Sequence, residues 1–69
     1  MPLTMSQVGE ILEIRNVSGK VEIKRHLEEM GFVKGTKITV VSENAGNLIV
    51  NLKGSRVAIG KDLAMKIAV

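Results

Sequence analysis

The apolar positions of the chain change period several times, and those changes mark the elements. Glu10 to Val17 (EILEIRNV) puts Leu12 and Ile14 on one face and Glu13 and Arg15 on the other, the two-residue period of a strand. Ile11 lies on the polar face and Asn16 breaks the alternation, which predicts a bulge or strand end there. Ile23, Leu27 and Met30 then recur at i, i+4 and i+7, the spacing of one helix face. Ser18 is the candidate N-cap of a helix from Gly19 or Lys20 to Met30. Gly31 is suited to C′, which makes Phe32 C″ and Leu27 C3, the apolar pair of a Schellman cap. Gly35 allows a second turn, and Thr36 to Ser42 alternates again, with Ile38 and Val40 on one face.

The remaining segments read as short strands joined by turns. Glu43 to Asn47 predicts a five-residue turn, Leu48 to Lys53 a strand, and Lys53-Gly54 a tight reversal. Ser55 to Ile59 forms the next strand, with Val57 and Ile59 on one face. Gly60 to Ala64 suits one helical turn, and Met65, Ile67 and Val69 alternate in a closing strand. At the start, Thr4 and Gln7 have capping-box spacing, with Leu3 and Val8 as the staple pair of one helical turn closed by Gly9. The expectation is mainly β: about five strands curled into a small barrel, with one helix after strand one and short helical turns.

Composition narrows the function classes. The 69 residues predict a single domain over 1–69. No Cys is present, so disulfides and thiolate metal sites are excluded. The first residues lack the basic and apolar regions of a signal peptide, and no apolar run approaches the roughly 20 residues of a membrane span, so a cytoplasmic protein is expected. The net charge of +3 is scattered, and Phe32 is the only aromatic residue. A nucleic-acid binder is therefore disfavoured, because bases would find neither a stacking platform nor a basic cluster. With one His and no Cys, no nucleophile, base and orienter trio can be assembled, and a non-enzyme is expected.

Several segments together resemble the FeoA family of ferrous iron uptake. They are Pro2-Leu3-Thr4 with Gly9; Lys24 to Phe32 (KRHLEEMGF); Gly35 with Ile38 and Val40; and Gly54, Val57 to Ile59, Ala64, Ile67 and Val69. The similarity covers nearly the whole chain. Lys34 stands where the family often has Pro, and Gly60 where it often has a basic residue. The resemblance implies an SH3-like barrel that requires no cofactor, and a cytosolic accessory role with the membrane permease FeoB as partner. Weak self-association is a further expectation.

Two residue sets are candidates for that role. Lys24, Arg25, Glu28, Phe32 and Lys34 are the partner-binding set, placed on the helix and the turn after it. Glu22, His26 and Glu29 fall at i−4, i and i+3 and can share a helix face. One imidazole and two carboxylates suit a divalent transition metal such as Fe2+ or Mn2+. This leaves a metal-binding regulatory module as the rival reading, since similar SH3-like domains end some iron- and manganese-dependent repressors.

Overall fold

A computed structural model describes residues 1–69. A 3₁₀ turn at Leu3–Met5 is followed by strands β1 (Ile11–Glu13) and β2 (Asn16–Val17), and then by helix α1 (Val21–Glu29). Strands β3 (Lys37–Asn44), β4 (Asn47–Leu52) and β5 (Ser55–Gly60) come next, before a one-turn helix α2 (Lys61–Ala64) and strand β6 (Ile67–Ala68). One antiparallel sheet has the order β1-β3-β4-β5, and a second pairs β2 with β6. The two sheets close around one apolar core that includes Leu3, Ile14, Leu27, Phe32, Ile38, Val50 and Ile67. The architecture is the mainly β barrel with one helix that the alternation predicts.

The end of α1 follows its sequence closely. The Phe32 N–H donates to the Leu27 carbonyl at 2.9 Å, and the Gly31 N–H to the Glu28 carbonyl at 2.9 Å. These are the two bonds of a Schellman cap, and Gly31 takes a φ of +103°. Leu27 and Phe32 are both fully buried in the core. A Cβ on Gly31 would stand 3.0 Å from Leu52 Cδ2, so glycine serves both the left-handed turn and the close approach of β4.

Elsewhere the structure corrects the sequence reading. The single strand over Glu10–Val17 is two strands in different sheets, and it breaks at Ile14-Arg15, not at Asn16. Ile14 forms the corner: it donates to the Thr36 carbonyl and accepts from the Gly35 N–H, while the Arg15 N–H turns to the Ala68 carbonyl. The fully buried Ile14 side chain anchors that change of sheet. Ser18 does not cap α1. Lys20 is the N-cap and makes no side-chain capping bond. Ser18 instead joins the closing strand, its N–H and Oγ both donating to the Lys66 carbonyl at 2.8 and 3.3 Å.

Three smaller corrections concern turns and ends. Thr4 lies inside the 3₁₀ turn and caps nothing; Pro2 precedes that turn, and Val8 of the expected staple is exposed. The carboxylate reaching back is that of Glu10, which accepts from the Gln7 N–H at 3.4 Å. The turn expected over Glu43–Asn47 contains only Ala45-Gly46, both at positive φ, because β3 runs on past a bulge between Val40 and Ser42. Lys53-Gly54 is the expected tight turn, also with both residues at positive φ. Met65 is the exposed C-cap of α2 and lies outside the last strand. Ile67 and Val69 are buried as the alternation requires.

Candidate functional site: a charged cleft beside α1

The apolar stripe of α1 is narrow. Leu27 is buried and Ile23 and Met30 pack partly on the core, while Glu22, Lys24, Arg25, His26, Glu28 and Glu29 all face solvent. After the Schellman cap, Phe32 enters the core and Val33 stays half-covered. The chain then turns at Gly35 to reach β3. That path leaves a gap between α1, the 32–34 turn and β2.

The gap is a cleft of about 370 Å³ lined by Asn16, Val17, Lys24, Glu28, Phe32, Val33 and Lys34. A shallower depression of about 260 Å³ is lined by Val21, Lys24, Arg25 and Glu28. The two share Lys24 and Glu28, so they lie next to each other along one stretch of α1. Together they gather all five residues of the partner-binding set. They also bring in Val33 from within the 32–34 turn, and Asn16, Val17 and Val21, to which the sequence does not point. Val17 and Asn16 were legible only as the end of a strand, and nothing local says that this strand leaves β3 to run beside α1.

The electrostatics are one-sided. Lys24, Arg25 and Lys34 stand around these depressions against the single carboxylate of Glu28. None of these charges is in a salt bridge; the molecule's ion pair joins Lys61 to Glu43 on a different part of the surface. Opposite charge supplied from outside would therefore find three cations without protein partners.

Glu22, His26 and Glu29 are placed differently. They ride the exposed surface of α1, and no three His, Asp or Glu side chains anywhere in the structure are arranged to hold a metal ion. No helix is long and apolar enough to cross a membrane.

Comparison with known proteins agrees with this architecture. A protein-family model, the FeoA domain, matches residues 1–69. A Methanocaldococcus jannaschii protein named as an Fe(2+) transport protein A is 35% identical over 68 residues, covering 99% of this chain and 83% of the relative. A crystal structure of an iron uptake regulatory protein, FeoA, superposes with a TM-score of 0.88 at 32% identity, covering 97% of this chain and 91% of that one. Stenotrophomonas maltophilia FeoA in complex with zinc superposes with a TM-score of 0.86 at 25% identity, covering 100% and 88%. It is described as a prokaryotic SH3 domain protein with a suggested role as a ferrous iron transport activating factor. The fold here is the same SH3-like barrel.

Proposed function

The chain belongs to the FeoA domain family, and from that membership we propose that it is a non-enzymatic, cytosolic accessory protein that binds the ferrous iron permease FeoB and modulates uptake. The observation that carries this reading is the meeting of Lys24, Arg25, Glu28, Phe32 and Lys34 around two adjacent depressions beside α1. Their shape and charge support docking of a macromolecule. The depressions are open and shallow, with no buried side-chain polar group that lacks a partner. The rim is positively charged, which favours an acidic patch on the partner and speeds encounter at low salt. Iron enters this account as the cargo of the permease.

The test is a pull-down of solubilised membranes with the tagged protein and its Arg25→Glu variant. Arg25 is exposed and makes no salt bridge that a Glu would break. The variant is expected to stay folded by circular dichroism and to recover much less permease. Equal recovery would remove this surface from the interface.

A metal-binding role for Glu22, His26 and Glu29, whose exposed side chains would have to converge on the ion from their present positions, is the second reading, favoured by the zinc held by the Stenotrophomonas maltophilia relative. Zinc, iron(II) and manganese(II) titrations read at the His26 imidazole test it. A site-specific change that Glu22→Gln weakens would support the role, and an imidazole that never responds would end it.

A further inference from the structure

The cleft has a backbone side as well as a charged side. Strand β2 pairs with β6 on one edge only. The far edge of β6 is taken by the N-terminus: Pro2 bridges Ala68, and the Val69 N–H donates to the Met1 carbonyl at 2.8 Å. The other edge of β2 has no strand beside it, and its two residues, Asn16 and Val17, line the cleft. The Ser18 N–H donates to the Lys66 carbonyl, so Ser18 occupies a bonded position of the β2–β6 pair. In an antiparallel pair the direction of the backbone groups alternates, so the Val17 N–H and carbonyl point the other way, toward the free edge. An open edge presents unpaired donors and acceptors to any extended chain.

Resting on the reading of this cleft as the docking surface, we infer that it binds an extended acidic segment of its partner by strand addition to β2. The bound segment takes the free hydrogen-bonding positions of Val17, which adds affinity through its main chain. Alternate side chains select it. Those on one face meet the apolar floor of Val17, Phe32 and Val33. Those on the rim meet Lys24 and Lys34, with Arg25 beyond, so acidic residues are preferred over basic ones. Glu28, the one carboxylate of the cleft, disfavours an acidic residue beside it and so fixes where the acidic positions fall. The occupant is therefore a short extended peptide alternating aliphatic and acidic residues.

The experiment uses ¹⁵N-labelled full chain and a blocked synthetic peptide, Asp-Val-Glu-Val-Glu-Val-Asp. Its controls are a version with Lys at every acidic position and two N-methylated versions, one at the Val residues and one at the acidic residues. The acidic peptide is expected to shift the Val17, Phe32 and Lys34 amides and to slow exchange of the Val17 N–H. The Lys version is expected not to bind. One of the two N-methylated versions should bind about tenfold more weakly, because it has lost the paired edge of the strand. Absence of shifts at the highest soluble peptide concentration, shifts that map away from the cleft, or equal binding of both N-methylated versions would overturn strand addition. Adding the acidic peptide to the permease pull-down separates the two readings. Permease that is recovered and not displaced leaves docking intact and removes strand addition. Peptide that binds at Val17 while no permease is recovered retains the cleft chemistry and removes the permease as its partner.

Discussion

The two ends of α1 are built in opposite ways. At the C-terminal end the chain supplies its own stop. Gly31 takes the left-handed conformation, two capping bonds of 2.9 Å close the last turn, and Leu27 and Phe32 seat together in the core. At the N-terminal end Lys20 offers no side-chain cap, and the nearest hydroxyl, that of Ser18, is engaged with Lys66 some 48 residues along the chain. One end is specified by a local code and the other by tertiary contact. The candidate docking surface runs along the helix between them, and its 32–34 rim belongs to the locally specified end. A surface that must keep a fixed shape gains from a boundary that does not depend on distant strands.

The strongest way to break the C-terminal end is Phe32→Ala. It removes the largest fully buried side chain, and a loss of about 3–5 kcal/mol is expected. A domain of this size has total stability near the lower end of about 5–15 kcal/mol, so chemical denaturation should show a chain close to unfolding. Gly31→Ala is the next test. A Cβ in the left-handed region costs about 1–3 kcal/mol, and Leu52 must also move from 3.0 Å. If Gly31→Ala leaves the urea midpoint unchanged, the cap is not what holds this end. The N-terminal end should respond in the other direction. Lys20→Ser adds a side-chain acceptor where none bonds now, and a gain of about 1 kcal/mol is expected in the same measurement. A neutral Lys20→Ser would mean that tertiary packing, and not capping, sets the stability of this end.

The same division decides what the sequence could say. The Schellman cap was legible because all its parts lie within six residues and each acts through its own backbone preference. The Lys53-Gly54 turn and the buried alternation of Ile38 and Val40 were legible for the same reason. The first strand was not, because its division depends on Ile14 reaching Thr36 on one side while Arg15 reaches Ala68 on the other. Ser18 reads as a cap because Ser favours that position locally, and the competing acceptor on Lys66 cannot be seen from neighbouring residues. The charged rim could be named residue by residue from the helix and turn. Val17 and Asn16 could not, since only the closed barrel brings β2 against α1 and the 32–34 turn.

The most direct measurement of docking at this cleft is quantitative permease recovery by the tagged chain, set beside its Arg25→Glu variant at equal folded concentration. The wild-type chain is expected to retain the permease, with recovery that falls as salt rises, and the variant to retain little. Recovery by both chains alike, insensitive to salt, would contradict the claim that the basic cleft beside α1 is where the partner docks.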